Sequence, residues 1–336
     1  MNTCWPRPHL IRSLAPGNAK VTWGGLLLLG LSLVWGCQPS ADSPREPQAD
    51  GAAPQQATSQ SGKLRVMAAQ AFLADAVTAL GGESIELVFL VPPGHDPATW
   101  KPTASDLQQM QAADLIVLNG ASYEPWVASV ALPSTRMIRT ANPFRDAWIE
   151  TEEVVHTHGP GGEHSHAGIA STTWLDFALA QVQVTAIRDR LKQLLPDAAD
   201  AIDARASAYL AELQQLHARM LKLAERLRGK PLVVSHPVYQ YWARKYQLDL
   251  RAVNWEPTEP PGEAGWAELD LVMQDFPAKL FVWEAAPSAE NEAKLAARGF
   301  TTLVFTPASN LNGEVTWRAA MQANLERLQQ AIEKLP

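Results

Sequence analysis

The chain has 336 residues, with 28 lysines and arginines against 35 aspartates and glutamates, for a formal net charge of -7. That balance offers no basic face to a nucleic acid. Its two cysteines, Cys4 and Cys37, are too few for a disulfide framework.

Residues 1–36 read as a secretion signal. Arg7, Arg12 and Lys20 make a positive start, and 21–35 is an apolar run containing Leu26-Leu27-Leu28-Leu29. The run is shorter than the roughly 20 residues a membrane span needs. It closes on Val34-Trp35-Gly36-Cys37, which resembles the lipobox of bacterial lipoproteins, with bulky Trp35 as a departure. Cleavage before Cys37 would remove Cys4 and leave Cys37 to carry lipid. A short amino-terminal anchor would give the same sidedness. Residues 37–62 are rich in Pro, Ala, Gln and Ser. Such a stretch buries too little apolar surface to offset its ordering entropy, so it reads as a disordered tether. No later segment is a candidate membrane span, and the expected place is a periplasm or cell surface, lipid-anchored.

From 63 onward, short apolar runs alternate with helical patterns. The runs are 64–69, 86–91, 114–119, 231–235, 249–254, 279–284 and 301–306. Their near-continuous Val, Leu, Ile and Phe content suits parallel strands covered on both faces. Helical periodicity falls at 71–80, 105–112, 239–246, 266–275, 289–298 and 315–333. This predicts an α/β fold of two lobes, each a parallel sheet flanked by helices, at 63–195 and 230–336. The crossing between them, 196–229, is helical. Ile202, Tyr209, Leu213, Leu216, Met220, Leu223 and Leu227 form a single stripe, Pro196 starts the helix, and Gly229 and Pro231 stop it. A helix over 197–228 would run roughly 48 Å and act as a rigid backbone between the lobes. His217 falls beside the stripe and is expected at the surface.

Four of the chain's eight histidines crowd into residues 156–166, His156, His158, His164 and His166, where chance would put roughly a quarter of one. Imidazoles spaced by small residues suit zinc, copper or nickel. Ligands of open parallel sheets bind beyond the carboxyl ends of the strands. There the chain offers His95 after the second run, His236 after the fourth, Glu256 after the fifth and Glu284 after the sixth. These four are expected to converge on one cleft. His95 also reads as a solvated turn residue beside Asp96, and Glu256 as rim beside Glu259 and Glu263. Trp100, Trp174, Trp255 and Trp283 are expected in the core or the cleft wall.

Pro92-Pro93-Gly94-His95-Asp96-Pro97-Ala98-Thr99-Trp100-Lys101-Pro102, Asp114–Gly120, Trp174-Leu175-Asp176 and Val234-Ser235-His236-Pro237 resemble the TroA-like metal-receptor lipoproteins of bacterial ABC transporters for zinc and manganese. The resemblance covers most of 63–336. It implies two lobes on a backbone helix, and a monomer that hands its metal to a permease with an ATPase subunit. It also implies a His-rich insert between the first two metal loops, where 156–166 lies. The ligands depart from the family pattern: Ala98 and Thr172 stand where its first two histidines are usual, and Thr306 where its final aspartate is. Only His236 carries over position by position. One reading is a rebuilt site, in which His95, the 156–166 histidines and Glu284 or Glu256 complete the set around His236. That nitrogen-rich, thiol-free set favours Zn2+ over Mn2+. The others are a scaffold carrying a non-metal ligand, and a metal chaperone or buffer without a permease. No His-Glu-x-x-His helix, Gly-x-Ser-x-Gly elbow or phosphate loop occurs, so no enzyme is expected.

Overall fold

The computed structural model describes residues 62–335, apart from 152–154, 158–162, 166–167, 312 and 314. The signal, Cys37, the tether up to residue 61, His158 and His166 lie outside the described residues.

Four strands build the first sheet: β1 (Leu64–Ala68), β2 (Ile85–Val88), β3 (Leu115–Leu118) and β4 (Met137–Arg139). They are parallel, in the order β2-β1-β3-β4. Every residue of β3 is buried, as expected of a strand covered on both sides. Helix α1 (Ala71–Gly81) starts on Gln70, whose side chain accepts from the Phe72 amide at 3.3 Å. Helix α2 (Ala104–Gln111) starts on a reciprocal Thr103–Asp106 capping box. β4 went unforeseen because three half-exposed residues carry no apolar run. β2 stops at Val88, three residues before the apolar run ends, and the chain then leaves the sheet toward Pro92.

The histidine-rich stretch is a ribbon where it is described, β5 (Val155–Thr157) paired antiparallel with β6 (Glu163–Ser165), with His156 opposite His164.

A turn of 3-10 helix at Thr173–Leu175 precedes α3 (Phe177–Leu194). Asp176 separates them because its carboxylate caps the amides of Ala178 and Leu179, at 2.9 and 3.3 Å. The backbone helix α4 (Ala199–Arg226) has 28 residues, about 42 Å. It is shorter than the periodicity predicts because Pro196–Ala198 forms a separate 3-10 turn and Gly229 (φ 69) reverses the chain beyond it. The predicted stripe is its buried face. His217, expected at the surface, is partly covered by Tyr246. It is half-buried, with Nδ1 2.9 Å from the Tyr246 hydroxyl, and burial lowers its pKa, with Lys245 adding to the effect.

The second sheet repeats the plan with β7 (Leu232–Val234), β8 (Leu250–Ala252), β9 (Leu280–Trp283) and β10 (Thr301–Val304), all parallel in the order β10-β9-β7-β8. Its helices are α5 (Gln240–Tyr246), α6 (Gly262–Asp275), α7 (Ala289–Ala297) and α8 (Trp317–Glu333).

One hydrophobic cluster runs from Val66 and Val117 of the first sheet through the stripe of α4 to Leu232 and Val282 of the second. Helix α8 returns to pack on α1 and α4. There Arg318 pairs with Asp75 at 3.1 Å and with Glu212 at 2.9 Å. Opening the lobes would expose this shared core, at about 25 cal/mol for every Å² of apolar surface. The four tryptophans expected in the core or cleft wall are all buried.

Candidate metal site

Strand β7 ends in a short segment that holds two acidic loops around one imidazole. The Ser235 amide donates to Val282 O at 2.9 Å and its carbonyl accepts from the Trp255 amide at 2.9 Å. Its hydroxyl accepts from the Glu284 amide at 3.1 Å. The ends of β7, β8 and β9 are thereby locked together, and His236 follows at once, only 3% exposed. Its Nδ1 is 2.9 Å from Glu284 Oε1, and its Nε2 is 3.8 Å from Glu256 Oε1. Burial opposes the imidazolium, but Glu284, Glu256 and Asp96 together outweigh it, and the His236 pKa is raised above its ordinary 6.5.

Glu256 rides on a rigid loop. Trp255 beneath it packs against Trp266 and Phe281, with ring centroids 4.8 and 5.4 Å apart. Buried Asn291 donates to the carbonyls of Pro257 and Glu259 at 3.1 and 2.9 Å. The local pattern of the sequence placed Ser235 beside His236 but pointed neither to its hydrogen bonds nor to Asn291.

His95, Glu256 and Glu284 line one cleft of about 550 Å3, together with Asp96, Glu259 and Thr306. His236 sits behind its two glutamates. Of the four residues expected to converge, His95, Glu256 and Glu284 share the cleft lining, and His236 reaches it through the two glutamates. His95 itself is exposed, its Nδ1 3.3 Å from the Pro93 carbonyl. Asp96, absent from the expected set, orders the loop: its Oδ1 accepts from the Ala98 amide at 2.9 Å and from the Tyr123 hydroxyl at 3.3 Å. Asn310, across the cleft, donates to the carbonyls of Pro92 and His95 at 2.7 and 2.8 Å.

The departures have structural duties. Ala98 is buried. The Thr172 hydroxyl donates to Val238 O at 2.5 Å, joining the lobes. Thr306 Oγ1 accepts from the Ala308 amide at 3.0 Å. Among the described residues, no group of three or more His, Cys, Asp or Glu is gathered closely enough to hold a metal ion. Of the ribbon, the backbone register of His156 and His164 is described, and His158 and His166 lie outside the described residues.

Behind the first lobe's wall lies a buried polar network that the sequence did not disclose. Glu124 accepts from the amides of Asn119 and Gly120 at 2.6 and 3.0 Å, and burial raises its pKa to about 7. Asn119 Oδ1 in turn accepts from Thr173 and Gln183, each at 2.8 Å.

Two parallel α/β lobes on a backbone helix, with a histidine at the strand ends of the cleft, are the TroA-like receptor architecture. The chain belongs to the family of the periplasmic zinc-uptake complex component A (ZnuA), which it matches over residues 66–331. It is 26% identical over 285 residues to the zinc-binding lipoprotein AdcA of Streptococcus pneumoniae, covering 81% of this chain and 56% of that protein. It is 28% identical over 204 residues to the manganese-binding lipoprotein MntA of Halalkalibacterium halodurans, covering 59% of this chain and 63% of that protein. The chain thus spans little more than half the length of these curated relatives. The solved structure of the periplasmic zinc binding protein TroA from Treponema pallidum aligns with a TM-score of 0.66 at 22% identity, over 81% of this chain and 99% of that one.

Proposed function

We propose that the protein is an extracytoplasmic receptor that captures a transition metal, zinc first and manganese second, and delivers it to an ABC permease with its ATPase subunit. Lipid on Cys37 would hold it, as a monomer, at a bacterial membrane, and its work is capture and release rather than turnover. The names of its relatives support zinc, and MntA keeps manganese in view. The observation that carries the reading is the pair of glutamates on the two nitrogens of buried His236.

Glu284 at Nδ1 fixes the tautomer in which Nε2 keeps its lone pair, the usual way a carboxylate prepares a metal-binding histidine. Zinc lies about 2.0–2.2 Å from nitrogen and carboxylate oxygen, so one ion fits between Nε2 and Glu256 Oε1, which stand 3.8 Å apart. His236 and Glu256 then ligate and Glu284 orients. His95 and the histidines of 156–166 act at the entrance, raising the local metal concentration or closing over the ion.

The test is calorimetric titration of the full-length chain in detergent with zinc, manganese and copper in competition, beside His236→Ala. We expect one tight zinc per chain and at least a hundredfold weaker binding in the variant. Equal binding by the two proteins would sink the reading. Deleting 156–166 should leave the tight site and remove only weak, multiple binding.

A further inference from the structure

We infer that Asn310 is a positioning residue for metal capture. From the second lobe it holds the turn that carries His95 at the rim of the cleft, so that His95 closes over an ion on His236 and Glu256 and slows its release. The inference rests on the metal-receptor reading above and names what controls the exit of its cargo.

Pro92-Pro93-Gly94-His95 folds back on itself, with the His95 amide donating to Pro92 O at 3.1 Å. Pro93 takes the second position and Gly94, at φ 78, the left-handed third, as a type II turn requires. All four residues are exposed, so their own burial does not fix where the turn points. Asn310 does. Its Nδ2 donates to Pro92 O at 2.7 Å and to His95 O at 2.8 Å, spending both amide hydrogens on the two ends of the turn. Beyond His95 the loop is tied to its own lobe, where the Tyr123 hydroxyl donates to Asp96 Oδ1 at 3.3 Å.

Asn310 is itself firmly placed. It ends a segment after β10 that meets the first lobe at two further points. The Ala71 amide donates to Ser309 O at 2.8 Å, and Trp174 Nε1 to Pro307 O at 2.9 Å. On the side of the second lobe, Asn324 of α8 donates to Thr306 O at 2.7 Å and accepts from the Thr306 amide at 3.1 Å. Between these anchors Ala308 adopts φ 54, a left-handed conformation that a residue with a side chain rarely takes and that its surroundings must impose. A segment held in this way carries the position of the second lobe to the His95 turn. His95, Asn310, Glu256 and Glu284 line the same cleft, so a loosened turn changes the mouth through which an ion leaves.

The experiment loads the full-length chain in detergent with zinc, adds excess chelator and follows the rate of zinc release. The parent is compared with Asn310→Ala, His95→Ala and the double variant. Each single substitution should speed release roughly tenfold. The double variant should stay within about twofold of His95→Ala, because Asn310 acts through the same turn. Asn310→Asp keeps the shape and loses both donor hydrogens; it should match Asn310→Ala and guards against a variant that folds poorly. Release unmoved by either substitution at 310 would overturn the inference and leave the receptor reading intact. So would an acceleration as large on the His95→Ala background as on the parent, which would make Asn310 a tie between the lobes alone. A parent chain that holds no tight zinc, or whose zinc survives His236→Ala, would remove the receptor reading and this inference with it.

Discussion

The two walls of the cleft are built from the same strand-loop-helix unit and use it differently. The second lobe turns its strand ends toward the cleft, with Glu284 and Glu256 on opposite nitrogens of His236. The first lobe turns its polar groups inward or across. Glu124, Asn119 and Gln183 satisfy one another behind the wall, Asp96 caps its own loop, and Thr172 ties the lobes together. The second wall brings two carboxylates to one imidazole, while the first contributes His95 and Asp96 to the cleft from a single loop. A buried polar group is stable only when its partners are present, so a wall whose polar side chains are already spoken for has few left for a ligand.

Substitutions should separate the two walls. The largest effect is expected behind the first. Glu124 has a folded pKa of about 7 against an ordinary 4.5, so its ionised form is disfavoured by folding. The stability it contributes is fully present below about pH 4.5 and is lost as the pH rises through about 7. Glu124→Gln should therefore gain about 2–3 kcal/mol relative to the parent between pH 5 and pH 8. Urea unfolding midpoints at the two pH values measure this, and parallel pH profiles would refute it. Metal affinity should stay within a few fold.

The second wall should respond the other way. Glu284→Gln leaves the unfolding midpoint of the metal-free protein within about 0.5 kcal/mol and weakens zinc roughly 10–100-fold by loosening the imidazole. Glu284 helps to raise the His236 pKa. Its loss moves protonation of the ring to lower pH, and the acid limb of zinc binding should move down with it. A pH series of titrations on both proteins decides the point, and an unshifted limb would mean Glu284 is not the partner of the ring.

The smallest effect lies on the seam. Thr172→Val removes one hydroxyl and leaves Val238 O without that donor, at a cost of about 1 kcal/mol. The change should appear in the unfolding midpoint and not in zinc affinity. If zinc affinity falls as well, closure of the lobes is coupled to the site.

Much of the architecture was legible because burial writes itself into composition. Strands β3, β7 and β9 are covered on both faces, so their residues are nearly all apolar. The stripe of α4 repeats at helical spacing because one face packs against both lobes. β4 left no such mark, having three residues and a half-exposed surface. His236, Glu256 and Glu284 were picked out by a rule of sheet geometry, since each follows a strand end, and His95 by its place in the loop after β2. The contacts of Ser235, Asn291 and Asn310 were not legible, because they reach 32 to 218 positions along the chain.

By itself, the sequence determined the strands of the two sheets and the helix between them, because local apolar periodicity depends on near neighbours alone, and its motifs carried the resemblance to the family. Only the tertiary structure decided which glutamate faces which nitrogen of His236, that the residues at 98, 172 and 306 serve the fold, and that the cleft is wide and acidic. Those properties are distances between segments far apart in the chain, and they take a value only once the shared core has brought the two lobes together.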